Sequence, residues 1–284
     1  MKKVDTSGFP TVRVTVQTSV AGKAPDLQIT ENGAPARNLT AVDPGAPAAI
    51  ALVIDTSNSM AGKKLQDAIS AASGFVNTQK TGNLMAVYGF GAQPYPAARL
   101  SPDKTELVTA LGQLGTGGRS GTALYGAIKM AATDLQTAPA QRRILILLTD
   151  GASQSDSATF ADALAAAKDA GVDIYPIGIG TTGSAQSALD QLAKATGGTS
   201  SMATDSSALS SVYSAISTEL GTSYTYLYQS SVAPGEPISL AISAKGLSPI
   251  SESLKAPGQV VAPTKGGGGL SLPQGPSAAP CWRL

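Results

Sequence analysis

Two hydrophobic periods alternate along the middle of the chain. Continuous apolar runs occur at 49–55 (AIALVID), 84–91 (LMAVYGFG), 143–150 (RILILLTD) and 172–180 (VDIYPIGIG), with a weaker one at 199–204 (TSSMAT). Runs that lack a polar face suit strands covered on both sides of a sheet. The stretches between them repeat with a helical period. KLQDAISAASGFV places Leu65, Ile69, Ala72 and Val76 on one face, DKTELVTALGQL groups Leu107, Leu111 and Leu114, and TALYGAIKMAATDL groups Leu124, Ile128, Ala131 and Leu135. Three further helical stretches follow, SATFADALAAAKDAG, SALDQLAKATGG and SSALSSVYSAISTEL, the first two closed by Gly171 and Gly197 as C-caps. Strand–helix alternation of this kind predicts an α/β fold: a doubly wound, mostly parallel sheet with helices on both faces.

The flanks carry a different period. TVRVTVQT (11–18) alternates every second residue, and DLQITENGAPARNLTAV (26–42) reads as a hairpin turning at Asn32-Gly33. After the last helix come SYTYLYQSS (223–231), a Pro234-Gly235 turn and PISLAISA (237–244). The economical arrangement is a small β-sandwich made from segments 9–46 and 222–247, with the α/β domain, 47–221, inserted into it. Segment 248–284 is rich in Gly, Pro and Ser without periodicity and reads as a flexible tail.

Composition mostly excludes. With no histidine among 284 residues, Ser-His-Asp and Cys-His nucleophile chemistry and most zinc sites are ruled out. Net charge is +1 with no basic run, so an electrostatic footprint for nucleic acid is missing. The single cysteine, Cys281, cannot form an internal disulfide and says nothing about redox compartment. No apolar stretch approaches the length of a membrane span, and MKKVDTSGFP lacks the hydrophobic segment of a secretory signal. Read as it stands, the chain is expected to be a soluble cytoplasmic product.

The candidate chemistry lies at strand ends. Asp55 ends the first core run and is followed by Ser57 and Ser59, while Asp150 ends RILILLTD. In a doubly wound sheet, ligands bind beyond the carboxyl ends of the strands where the order reverses, so the two carboxylates are expected to share one crevice. The glycine-rich segment GTGGRSGTALYGAI brings Thr122 to the start of a helix. Asp55, Ser57, Ser59, Thr122 and Asp150 offer only hard oxygen donors, which suit Mg²⁺ or Mn²⁺. Each one alone is also a familiar helix cap or turn residue.

Taken in order, these residues resemble the von Willebrand factor type A (VWA) domain and its metal ion-dependent adhesion site, Asp-x-Ser-x-Ser followed by a distant Thr and a distant Asp. The resemblance spans roughly 47–220. It implies a Rossmann-like sheet and direct metal contact by Ser57, Ser59 and Thr122. It also implies contact by Asp55 and Asp150 often through water, and a last ligand supplied by an acidic group of a partner protein. Asn58 stands where the family usually has Gly; Asn tolerates a left-handed backbone, and metal affinity is the quantity this departure touches. Relatives with similar β-rich flanks are commonly secreted or membrane-anchored, which implies an extracytoplasmic protein whose N-terminus has been trimmed or rebuilt.

Other motifs carry less. GIGTTG (178–183) matches a dinucleotide-binding glycine pattern, but Gly178 is still inside a late strand and the next helix is expected only near Ser187. GTALYGAIK lacks the Gly-Lys-Ser/Thr of a phosphate loop, so no nucleotide is expected. Lys63, Lys64 and Arg119 read as solvated surface charges, and GAQPYPAARL (91–100) as an edge turn. The functional expectation is therefore a non-enzymatic module gripping a partner's Asp or Glu through Mg²⁺ or Mn²⁺. The rivals are an intracellular assembly subunit of an ATPase or chelatase complex and a metal-dependent hydrolase using the same crevice.

Overall fold

The computed structural model describes residues 3–6, 8–18, 24–42, 47–117, 121–140, 142–244 and 249–258; Arg119, Cys281 and the four glycines at 266–269 lie outside them. The N-terminal flank forms β1 (Lys3–Asp5), β2 (Thr11–Gln17), β3 (Leu27–Glu31), β4 (Ala34–Pro35) and β5 (Arg37–Val42). The central region runs β6 (Ala48–Asp55), a 3-10 turn (Asn58–Met60), α1 (Lys63–Thr78), β7 (Leu84–Phe90), β8 (Pro94–Ser101), α2 (Lys104–Gly112) and α3 (Leu124–Gln136). It continues through β9 (Arg142–Thr149), α4 (Phe160–Asp169), β10 (Val172–Ile179), α5 (Gly183–Thr196), β11 (Ser201–Ala203) and α6 (Leu209–Thr222). The C-terminal flank adds β12 (Ser223–Gln229), β13 (Pro237–Ala244) and β14 (Ile250–Lys255).

The central sheet has the order β11-β10-β9-β6-β7-β8, parallel except for β8. Every residue of β6 is buried, as the unbroken apolar run requires. Its side chains alternate between two cores. Ile50, Leu52 and Ile54 pack with α1, α2 and α6, whereas Ala49, Ala51 and Val53 pack with α3, α4 and α5. β9 divides the same way, Ile144, Ile146 and Leu148 to one side and Leu145 and Leu147 to the other. Both faces are thus covered by the apolar stripes of the predicted helices.

The flanks form two four-stranded antiparallel sheets, β1-β2-β12-β5 and β14-β13-β3-β4, over a common core that includes Phe9, Val12, Val14, Tyr224, Tyr226, Tyr228, Leu240 and Ile242. The Asn32-Gly33 hairpin is present, with φ of 50° and 81° at its two turn residues and Glu31 paired to Ala34. Glu31 is buried in this core. Its carboxylate accepts from Tyr228 Oη at 2.9 Å, Ser231 N at 2.9 Å and Ser231 Oγ at 3.2 Å. A buried carboxylate needs that many partners to offset its lost hydration.

Four local expectations need correction. GAQPYPAARL is not merely an edge turn: β8 pairs with β7, and Pro94 and Pro96 are accommodated because β8 is the outer strand. The tail does not begin at 248, since β14 pairs with β13 over Ile250–Lys255; the alternation in ISESLK is hard to see because Ile250 is itself exposed. A strand precedes residue 9, β1, paired to β2. And α5 begins at Gly183 rather than near Ser187, its start marked by no cap side chain that a sequence could reveal.

The end of α5 docks directly on β10. Because β11 pairs only with Ile177–Ile179, the Ile174 N–H has no strand partner on that side and donates to Thr196 Oγ1 at 3.0 Å. Gly197 closes the helix at φ 99°, and Gly198 then lies so near β10 that a Cβ there would meet Ile174 O at 1.8 Å. Gly198→Ala is expected to destabilise by about 3 kcal/mol through overpacking against backbone. Gly74→Ala, at an open exposed position in α1, is expected to stabilise by about 0.5–1 kcal/mol. Urea unfolding of both variants checks this; a Gly198→Ala midpoint equal to wild type would refute the docking account.

Candidate metal centre

The sheet order reverses between β6 and β9. Their parallel register sets Ile54 opposite Leu148, so Asp55 and Thr149 end the two strands side by side and Asp150 follows immediately. Asp55 is fully buried. One carboxylate oxygen accepts from Thr149 Oγ1 at 2.6 Å and the other from Ser57 N at 2.8 Å. These two bonds fix the carboxylate at the start of the loop that carries the serines.

That loop is a single 3-10 turn. Asn58 opens it with no positive φ, so the backbone does not need glycine or a left-handed Asn at this position. The turn brings Ser57 Oγ within 3.1 Å of Ser59 Oγ, and Ser59 Oγ donates to Asp150 Oδ1 at 2.7 Å. Asp55, Ser57, Ser59 and Asp150 are therefore joined in one hydrogen-bonded group across 95 positions of sequence. Asp150 also accepts at Oδ2 from Lys64 Nζ at 2.7 Å, so Lys64 is not the solvated surface charge that its sequence context suggests.

Thr122 comes from the neighbouring loop. Its backbone pairs in both directions with Gln154, at 2.8 and 2.9 Å, and the following residue, Ala123, donates to Gly91 O at 2.7 Å. Gly91 lies against the backbone of Ser57, which ties the Thr122 loop to the serine loop. Gly121 has φ 135°, and a Cβ there would come within 3.0 Å of Ala92 Cα, so this close approach needs glycine. These ties set Thr122 on the loop next to the serine loop, and among the described residues no hydrogen bond joins its hydroxyl to the other four.

The capping alternative holds for Asp55, which accepts the Ser57 N–H two residues on, but not for Ser57 or Thr122. Ser57 makes no side-chain cap bond, and neither does the residue that caps α3, Ala123. The free N–H groups of Tyr125 and Gly126 are satisfied by Asp156 Oδ2 at 2.7 and 3.1 Å, with Ser153 Oγ supporting the same oxygen at 2.9 Å. Thr122 is thereby relieved of capping duty. Sequence reasoning missed Thr149, Lys64 and Asp156. Only Thr149 had a signal, since it precedes Asp150 at the end of a strand expected to lie beside Asp55.

The donor set fits a hard divalent ion. Ser57 Oγ, Ser59 Oγ and Asp150 Oδ1 are spaced at 3.1 and 2.7 Å. Adjacent corners of an octahedron with metal–oxygen bonds of about 2.1 Å lie about 3.0 Å apart. Among the described residues no three His, Cys, Asp or Glu gather at one point, and a metal held here would be shared between two carboxylates and hydroxyls. Cavities of about 270 and 160 Å³, sharing Gln79, Lys80 and Asn83, lie at the opposite end of the sheet and touch none of the five.

Burial pushes the Asp55 carboxyl above its ordinary value of 3.8; hydrogen bonds from Ser57 and Thr149 oppose the rise, and the charge of Asp150 adds to it. With the folded value raised, Asp55 costs nothing at pH below the ordinary value and destabilises progressively as pH rises through the raised one. Asp55→Asn is therefore expected to raise the melting temperature of chelator-stripped protein at pH 7. The gain should shrink as pH falls toward 3.8. Scanning fluorimetry across that range checks this, and a variant no more stable than wild type at pH 7 would contradict it.

Comparison with known proteins gives the same architecture. No curated protein matches the chain. Among solved structures, a von Willebrand factor type A protein from Catenulispora acidiphila is 16% identical with a TM-score of 0.58, covering 84% of this chain and 75% of its own. The vWF domain of the type V pili tip protein Mfa5 from Porphyromonas gingivalis is 17% identical with a TM-score of 0.51, covering 60% and 94%. Proximal thread matrix protein 1 from the mussel byssus, in a structure with a zinc-occupied MIDAS motif, is 21% identical with a TM-score of 0.57, covering 66% and 49%. These likenesses concern the fold. The von Willebrand factor type A domain family itself matches residues 49–215, more than half of the chain, and with this sheet order and two-faced core the chain belongs to that family.

Proposed function

We propose that this protein is a divalent-metal-dependent binding module, not an enzyme, that grips an acidic group on a partner protein. Asp55, Ser57, Ser59, Thr122 and Asp150 would hold Mg²⁺ or Mn²⁺. The observation that carries the reading is the hydrogen-bonded group of hard oxygens at the sheet reversal, in a chain of a family whose members typically bind a divalent metal. When bound, the metal supplies an electrophilic centre for a carboxylate. The protein's own part is to hold the oxygens. Thr149 and the Ser57 N–H orient Asp55, the 3-10 turn pairs the serines, and Asp156 caps α3 so that Thr122 is free to reach the ion.

A binding role is favoured over hydrolysis by the absence from the chain of histidine, the side chain most often used for general acid–base catalysis. An extracytoplasmic setting is proposed on the β-rich flanks and on the likeness to a pilus tip protein. Among the described residues no helix is long and apolar enough to cross a membrane.

Isothermal titration of metal-stripped protein is expected to show one Mg²⁺ or Mn²⁺ site, absent in Asp55→Ala. Free metal at about 100 times its Kd should add about 2.7 kcal/mol of stability. Equal heats in wild type and variant would sink the assignment. Thr122→Ala is expected to weaken chelator-sensitive capture of the partner by about tenfold, ~1.4 kcal/mol. It should leave the melting temperature nearly unchanged, because its hydroxyl holds nothing in the core. Parallel losses of binding and stability would return Thr122 to a structural role.

A further inference from the structure

Two lysines open α1, and the fold uses them differently. Lys63 pairs with Asp67 one turn later at 2.7 Å, with its side chain 77% exposed. Such a surface pair contributes little. Lys64 reaches back over the serine loop instead. Its Nζ lies 2.7 Å from Asp150 Oδ2 and 3.3 Å from the carbonyl oxygen of Ser59. The Asp150 side chain is only 4% exposed, so water does little to balance its charge, whereas Lys64 at 45% is free to swing outward.

We propose that Lys64 is a built-in cation of the metal centre, competing with the divalent ion for Asp150 and setting its affinity. This rests on the metal-centre reading above. In the metal-free protein the ammonium neutralises one of two neighbouring carboxylates and holds Asp150 in the hydrogen-bonded group. A divalent ion seated among Asp55, Ser57, Ser59 and Asp150 then meets a positive charge already in place, which weakens its binding. The same charge alters what the loaded site presents. Two carboxylates alone would neutralise a divalent ion, but with the ammonium present the site keeps a net positive charge. Lys64 thus trades metal affinity for attraction toward an acidic partner.

Titration of Mg²⁺ into chelator-stripped wild type, Lys64→Met and Lys64→Arg tests this, with melting temperature and near-UV circular dichroism as folding readouts. Lys64→Met keeps the apolar stem and is expected to bind Mg²⁺ about tenfold more tightly, given the strength of a like-charge contact at this range. Its stripped form should melt lower than stripped wild type, because Asp150 loses its counter-charge. Lys64→Arg keeps the charge, should fold like wild type and should show wild-type Mg²⁺ affinity. Binding by Lys64→Met but not by wild type would support the proposal in its strongest form. Mg²⁺ binding by wild type that is equal or weaker in Lys64→Met would overturn the role of Lys64 and leave the metal centre standing. No binding by any of the three proteins would overturn the metal centre, and this proposal with it.

Discussion

The parallel pairing of β6 with β9 is the constraint on which the rest of the structure depends. It is the seam at which the sheet reverses, and its register sets Asp55, Thr149 and Asp150 within one hydrogen-bond network. Both strands are buried on both faces, so their register is fixed by two cores at once. A slip of one residue would exchange the side chains of the two cores, which differ in volume: Ile50, Leu52 and Ile54 on one side, Ala49, Ala51 and Val53 on the other. The precision of the site is inherited from that packing. Loop geometry then needs to supply only one tight turn and one glycine-dependent approach.

Burying a carboxylate at such a seam is costly, and the fold distributes the cost. Asp55 has two hydrogen-bond donors and still has its acidity weakened by burial. Asp150 has a hydroxyl and an ammonium. The sandwich handles its own buried acid in the same manner, with Tyr228 and Ser231 around Glu31. The difference is that Glu31 is served by groups with no other task. At the seam the donors to the carboxylates include Ser59, itself a hard oxygen ligand of the sort a divalent ion takes.

At the C-terminal junction the chain passes from the α/β domain into the sheet β1-β2-β12-β5 without a linker, since α6 ends at Thr222 and β12 begins at Ser223. The Thr18 N–H donates to Thr222 O at 3.0 Å across that junction, and Arg142 at the start of β9 donates to Leu220 O at 2.9 Å. The sandwich therefore joins the α/β domain at the end of the sheet opposite the candidate metal centre.

The sequence by itself determined the α/β architecture, five of the six strands of the central sheet, the flanking hairpin and the residues at the strand ends. These follow from local periodicity: an apolar run or a three-to-four repeat reports burial wherever the chain goes. Even Gly171 and Gly197 announced their helix ends, because a left-handed cap has few other candidates. Tertiary structure alone decided the rest. Lys64 on Asp150, Asp156 on the α3 N-terminus and Gly198 against Ile174 join residues 24 to 86 positions apart. Each has an ordinary local context that gives no hint of its partner. Edge strands β8 and β14 hid because they bury little: Ala98 is the one buried residue of β8 and β14 has none, so neither carries an apolar run. Asn58 shows the converse, a sequence irregularity that the 3-10 turn absorbs without any special backbone.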